Sequence, residues 1–281
     1  MSPVSPVSTQ ALARLRAYLP PASIYTSLPL TRRAAVLVLL FSDRRGDLRV
    51  VLTVRSVHLR TFAGQVALPG GKADFLSETA AQTARREAWE EIGLPLDSQG
   101  GLPKPFDVEH LCELPCSLAR TGLAVRPCVA YLDGGKGDVE DSLIPRLQET
   151  EVASLFTVKL EPFLKRAYPI PGGAAEETWY RGGKTMWVHR PWTIHEFNAP
   201  VWEGSTLKRH RIWGMTARIL VDVARVAYGR DPEFPFDQEL GFEEAMREME
   251  KKGEMKEIVK KKPDPELEPD KVAAQVEKGN L

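Results

Sequence analysis

Apolar positions along this chain fall into runs whose length and period predict distinct elements. Ala34–Phe41 is an unbroken apolar run of eight residues, and Leu48–Arg55 follows it as a second strand-like stretch. Between them, Arg44-Arg45-Gly46-Asp47 reads as a hairpin turn. The period then becomes helical, with Ala81, Ala84, Ala88 and Ile92 forming a narrow apolar stripe. Thr79 followed by Gln82 fits a capping box at its start, and Ile92-Gly93-Leu94-Pro95 fits a glycine stop at its end. Leu123–Leu132 predicts another strand, and Glu151–Leu164 a strand leading into a short helix. Ile212–Tyr228 has helical spacing through Ile212, Met215, Ile219, Leu220, Val223 and Val226, with Gly229 placed to end it.

Two stretches break this pattern. Residues 168–202 are rich in aromatics and prolines, including Tyr168, Trp179, Tyr180, Trp187, Trp192, Phe197 and Trp202. They are expected to serve in the core or a lid, with stacking on a ligand's ring as the other reading. From about residue 240 the composition shifts to Glu, Lys and Pro. Phe242–Lys262 is expected to form a solvated helix, and the proline-punctuated acidic run Pro263–Pro269 to be disordered. Mixed strands and helices over residues 30–230 predict one α/β domain. Residues 1–29 would precede it, and 231–281 would follow as a charged tail.

Composition narrows the choice of partner. Lys+Arg and Asp+Glu both number 38, so no global field selects nucleic acid or an anionic membrane. An anionic small molecule must be met by local positive charge. The eight-residue apolar run is too short to span a bilayer. Cys112, Cys116 and Cys128 are an odd number without a secretory signal, which favours a reducing compartment. With His110 nearby they raise the question of zinc, but their spacing matches no common finger, and buried thiols are expected. The N-terminal stretch carries Arg14, Arg16, Arg32 and Arg33 with Leu12, Leu15 and Leu19, and no acid before Asp43. It reads either as a helix packing on the domain or as a mitochondrial address.

The chemistry concentrates in residues 51–94. Glu87, Glu90 and Glu91 stand at i, i+3 and i+4, so their side chains share one helix face about 5–6 Å apart. Two such charges about 6 Å apart repel by roughly 3 kcal/mol at an effective dielectric near 20. A divalent cation converts that repulsion into coordination, and carboxylate oxygens suit Mg²⁺ or Mn²⁺. Pro69-Gly70-Gly71 upstream lets backbone approach a ligand closely, and Arg86 is positioned to pair with Glu78.

From Glu78 through Arg86-Glu87-Ala88-Trp89-Glu90-Glu91-Ile92-Gly93-Leu94 the sequence resembles the Nudix box, a metal-dependent diphosphate-cleaving motif. It departs from the family pattern only upstream, where six residues rather than five separate Gly71 from Glu78. Leu52-Thr53-Val54-Arg55-Ser56, then Arg60, Gly64 and Leu68-Pro69-Gly70-Gly71, resemble the further motif of the family's coenzyme A diphosphatase branch, with Leu68 in place of Phe. Ile212-Trp213-Gly214-Met215-Thr216-Ala217 is similar to the closing helix segment of that branch.

The resemblance implies a Nudix-type α/β/α sandwich with a mixed sheet. It implies Glu87, Glu90, Glu91 and the Gly71 carbonyl as ligands of Mg²⁺ or Mn²⁺. The ion would neutralise diphosphate oxygens and acidify a water that attacks one phosphorus in line. Glu90 is one candidate general base, and Glu149 and Glu151 are others. Arg55, Arg60 and Lys72, with Gly70 and Gly71, would bind the substrate's phosphates. The implied reaction splits coenzyme A or acyl-coenzyme A into 4′-phosphopantetheine (or its acyl form) and adenosine 3′,5′-bisphosphate. Two alternatives stand beside it: cleavage of oxidised nucleoside triphosphates or other nucleoside diphosphate derivatives, and a non-catalytic binding module. Relatives act in peroxisomes or mitochondria, and Gly279-Asn280-Leu281 is not the usual peroxisomal tripeptide.

Overall fold

The structure, a computed structural model, describes residues 4–58, 62–135, 139, 152–168, 179–203 and 206–258. The expected strand pair is β1 (Arg33–Ser42) and β2 (Leu48–Arg55), antiparallel with Leu40 opposite Val50. Their turn is closed by Asp43, whose Oδ1 accepts from the amides of Arg45 (2.9 Å) and Asp47 (3.0 Å). β3 (Val66–Ala67) pairs with β2, and β4 (Gly70–Lys72) with β1. Next come β5 (Asp107–Glu113), β6 (Ser117–Leu118), β7 (Ala124–Asp133) and β8 (Val152–Lys159). β7 runs parallel to β1 along nine residue pairs, while β8 lies antiparallel to β2, so the eight-stranded sheet is mixed.

Strand periodicity divides β1 between two cores. Ala35, Leu37, Leu39 and Phe41 join one cluster with Ala80, Ala84, Ala88 and Ile92 of α2 (Ala80–Ile92). Val38 and Leu40 join the other, which is roofed by α1 (Pro6–Ala17) and α3 (Gly214–Tyr228). Helices therefore cover both faces, giving an α/β/α sandwich. The N-terminal stretch contributes Ala11, Leu12 and Leu15 to the core, and Arg16 forms a two-pronged pair with Glu109 at 2.7 and 2.6 Å.

The aromatic stretch builds structure. β9 (Tyr180–Trp187), β10 (Arg190–Glu203) and β11 (Thr206–Trp213) form a second antiparallel sheet. Trp179 and Phe197 are fully buried and pack with Phe163, each ring pair 4.9–5.5 Å apart. Trp187 and Trp192 pack on the α2-side core instead.

Residues 231–258 differ from a solvated tail. The helix expected over Phe242–Lys262 is α4 (Glu243–Lys251), and Phe242, Ala245, Met246 and Met255 are buried against the α2-side core. Glu243, itself buried, accepts from the amides of Cys116 (3.1 Å) and Ile24 (3.3 Å), from Ser23 and from Arg126 Nη1 (3.1 Å). A charge that reads as solvent-facing in sequence is buried here, where Arg126 of strand β7 meets it. The run Pro263–Pro269 lies outside the described residues.

Two predictions follow from these buried polar groups. Glu243→Ala removes the buried partner of Arg126, which is itself buried and would be left with the more exposed Glu113 (3.0 Å). The variant should lose about 3 kcal/mol of stability, read as a lower denaturant midpoint at unchanged slope. His195 is fully buried with the Tyr180 hydroxyl 3.2 Å from Nδ1. Burial, reinforced by the Arg218 and Arg225 charges against a weaker opposing pull from Asp237, pushes it down from 6.5 to about 4. Between those values the unfolded chain takes a proton that the folded one refuses, so stability falls as pH drops through this window. The loss reaches about 3 kcal/mol near pH 4, and in His195→Gln the stability–pH curve should flatten over that range.

Candidate active site

Helix α2 carries the acidic row, and its ends are built as its sequence suggests. Thr79 accepts from the Gln82 amide (3.1 Å), Gln82 Oε1 accepts from the Thr79 amide (2.9 Å), and Gly93 closes the helix at φ 68°. The buried stripe runs through Ala80, Ala84, Ala88 and Ile92, with the expected Ala81 only partly buried, and its small side chains let the helix axis approach the sheet closely. That brings its last two turns beside β4.

Glycine is required there. A Cβ on Gly70 would strike the Ala35 carbonyl oxygen and Val36, and Gly70 has φ 155°. A Cβ on Gly71 would lie 2.5 Å from the Glu87 carboxylate. The Gly70 amide donates to Glu91 Oε2 at 3.0 Å. The two glycines thus admit two carboxylates of α2 against the backbone of β4.

The three glutamates do not stand alike. Glu91 is the most buried (side chain 5% exposed), held by Gly70, with Arg55 Nη1 3.8 Å from its Oε1. Glu87 and Glu90 turn to Arg86, whose Nη1 reaches Glu87 Oε1 at 3.0 Å and Glu90 Oε2 at 3.2 Å. Arg86 also donates from Nε to Glu78 Oε1 (2.8 Å) and from Nη2 to the Lys72 carbonyl (2.8 Å). Burial alone would raise the Glu78 carboxyl, but Arg86, the Asp74 amide and Thr83 hold it below the usual carboxylate range. Burial likewise disfavours the Arg86 charge, and Glu78 and Glu87 more than reverse this, leaving its pKa raised. Repulsion along the acidic row is relieved by the Arg86 guanidinium, the Gly70 amide and, at longer range, Arg55.

Among the described residues, no three His, Cys, Asp or Glu side chains stand close enough to form a ready-made metal cluster. The donor chemistry nonetheless fits a hard divalent cation: two carboxylates converge on one nitrogen of Arg86, and the missing Cβ of Gly71 leaves Glu87 against the loop backbone. Arg55 stands beside Glu91, and its buried Nε has no hydrogen-bond partner among the described residues. Lys72 is exposed at the rim. Arg60, Glu149 and Glu151 lie outside the described residues. His58 is exposed, and Cys112, Cys116 and Cys128 are buried free thiols whose pKa values burial pushes up, the first two to about 12.

Sequence reasoning passed over Arg33. It is buried and donates to the carbonyls of Leu28 (2.8 Å), Leu76 (3.0 Å) and Thr26 (2.5 Å), tying the loop between β4 and α2 to the stretch before β1. Its partners are backbone oxygens, which leave no residue-type signal.

The family model described as NUDIX domain matches residues 31–167. Peroxisomal coenzyme A diphosphatase 1 of Saccharomyces cerevisiae is 33% identical over 256 residues, covering 77% of this chain and 75% of that protein. Nudix hydrolase 15, mitochondrial, of Arabidopsis thaliana is 36% identical over 203 residues, covering 72% of this chain and 61% of that protein. Among solved structures, the Nudix hydrolase RenU from M. smegmatis matches 47% of this chain and 73% of its own at 24% identity and a TM-score of 0.34. The chain belongs to the Nudix hydrolase family.

The contact between Gly71 and Glu87 yields a direct test. Gly71→Ala should keep the fold, seen as a melting temperature within a few degrees of wild type. Its diphosphate hydrolysis should fall about 30-fold, roughly 2 kcal/mol, because the new methyl displaces the Glu87 carboxylate.

Proposed function

We propose that this Nudix hydrolase cleaves the diphosphate of coenzyme A and acyl-coenzyme A, releasing 4′-phosphopantetheine (or its acyl form) and adenosine 3′,5′-bisphosphate. The observation that carries this reading is Arg55. It belongs to the segment Leu52–Gly71 that resembles the coenzyme A branch motif, and it stands 3.8 Å from Glu91 of the acidic helix. The 33% identity to a protein named as a coenzyme A diphosphatase supports the same substrate.

Glu87, Glu90 and Glu91, with the Gly71 carbonyl, are the residues that would hold Mg²⁺ or Mn²⁺. When bound, the ion supplies charge neutralisation of the diphosphate and acidification of water. The chain's own groups do the rest. Coenzyme A carries about four negative charges near pH 7, and the net charge of the protein is zero. Local cations must therefore receive it, and Arg55, Arg60 and Lys72 are assigned that role with the Gly70-Gly71 backbone. Glu90, with its side chain 44% exposed against 15% for Glu87, is assigned the proton of the attacking water. Arg86 positions Glu87 and Glu90. A mitochondrial or peroxisomal residence is proposed from the names of the two relatives; no helix among the described residues is long and apolar enough to cross a membrane.

Product analysis of purified protein with Mg²⁺ or Mn²⁺ tests the substrate, using coenzyme A, dephospho-coenzyme A, ADP-ribose and 8-oxo-dGTP. Coenzyme A should be cleaved with the highest kcat/KM. Preference for the dephospho form or for the oxidised nucleotide would overturn the reading. Under saturating metal, Glu91→Gln should lower kcat by about 10³-fold, roughly 4 kcal/mol, and near wild-type turnover would remove Glu91 from the machinery.

A further inference from the structure

The loop between β4 and α2 carries the six-residue spacer and delivers Glu78 to Arg86. Asp74, Phe75, Leu76 and Ser77 are all exposed, so side-chain packing does not fix the loop's path. Hydrogen bonds do. The Ala73 amide donates to Arg33 O (3.1 Å), the Asp74 amide to Glu78 Oε2 (2.8 Å) and the Glu78 amide to Phe75 O (3.1 Å). The Leu76 carbonyl accepts from Arg33 Nη1 at 3.0 Å. Arg33 therefore holds the loop twice, by its main chain where the loop leaves β4 and by its side chain two residues before Glu78.

The rest of the Arg33 guanidinium reaches back to the stretch before β1. Nε donates to Leu28 O and Nη2 to Thr26 O, so all three nitrogens end on main-chain carbonyls. A buried guanidinium is costly unless its donors are satisfied, and its planar fork fixes its acceptors relative to one another. Leu76 is thus located against residues 26–28, not only against its own loop. From Leu76 the contacts run on to the acidic row. Glu78 Oε1 accepts from Arg86 Nε at 2.8 Å, and Arg86 Nη1 meets Glu87 and Glu90 at 3.0 and 3.2 Å. An added loop residue costs little in closure entropy, but it multiplies the conformations in which Glu78 misses Arg86.

We propose that Arg33 is a positioning residue for the acidic row: its grip on Leu76 sets the register in which Glu78 meets Arg86 across the six-residue spacer. This inference rests on the reading of Glu87, Glu90 and Glu91 as the diphosphate-cleaving machinery, and adds a residue outside segment 51–94. Arg33 acts through Glu78 and Arg86, so its effect belongs in turnover and depends on the Glu78 carboxylate.

A double-mutant cycle of Arg33→Met and Glu78→Gln tests this at saturating Mg²⁺, on whichever of coenzyme A, dephospho-coenzyme A, ADP-ribose and 8-oxo-dGTP the wild type cleaves best. Arg33→Met keeps the main-chain bond to Ala73 and removes only the side-chain donors. It should lower kcat about tenfold with KM changed less than twofold, and Glu78→Gln should lower kcat about 30-fold. The double variant should be no more than about twofold worse than Glu78→Gln alone, because the two residues act along one path. Hydrogen exchange of the metal-free protein should quicken in residues 73–78 of Arg33→Met and stay unchanged in 80–92. Arg33→Lys, with its charge but without the fork, should recover less than half of the lost kcat; it carries the same cycle if Arg33→Met melts below the assay temperature. Losses that multiply to about 300-fold would overturn the proposal and leave Arg33 a purely structural residue. So would unchanged exchange in 73–78, or wild-type turnover in Glu78→Gln while Glu91→Gln is inactive, and each of these leaves the acidic-row reading intact. Wild-type turnover in Glu91→Gln would overturn both.

Discussion

A single guanidinium governs the acidic end of this molecule. Arg86 touches Glu78, Glu87, Glu90 and the Lys72 carbonyl, so it joins the helix face, the loop before the helix and the strand that carries the two glycines. Without it, Glu87 and Glu90 would repel across one turn of helix, and the loop would lose the tie between Glu78 and Lys72. The side chain is planar and multiply donating, which lysine cannot imitate. Its raised pKa expresses the same fact: the surrounding carboxylates overcome the burial that would otherwise disfavour its charge.

The arrangement around Arg86 depends in turn on small residues. Ala80, Ala84 and Ala88 are buried on the sheet, and larger side chains there would lift α2 away from β1. Gly70 and Gly71 then allow the backbone of β4 to meet the helix carboxylates. Chemistry and packing share the same turns: one face of α2 anchors to the core while the adjoining face presents charge. Glu91 lies at the boundary, nearly buried, with a backbone amide and Arg55 as compensation.

Much of this was legible in the amino-acid order. The hairpin at residues 44–47, the Thr79–Gln82 capping box and the Gly93 stop rest on local hydrogen bonding that neighbouring residues determine. The spacing of Glu87, Glu90 and Glu91 follows from helical geometry alone. The segment 231–258 was misleading for a physical reason. Its Glu and Lys content resembles a solvated segment, yet Phe242 and Met246 are buried, and Glu243 meets Arg126 across 117 positions of sequence. Asp237 is similar, accepting from Thr193 Oγ1 at 3.0 Å and pairing with Arg218. Composition cannot reveal a distant partner for a charge.

By itself the sequence determined the local elements, the acidic row and the glycines beside it, because each depends on contacts within a few residues. Tertiary structure decided how the three glutamates divide, with two on Arg86 and one on Gly70 and Arg55. It also decided that Arg33 ties the loop before α2 to the stretch before β1, that Phe242, Ala245, Met246 and Met255 belong to the core, and that Phe75 and Leu76 are exposed. These outcomes depend on which desolvated charge meets which partner, and partners far apart in the chain meet only once the sheet and helices have packed.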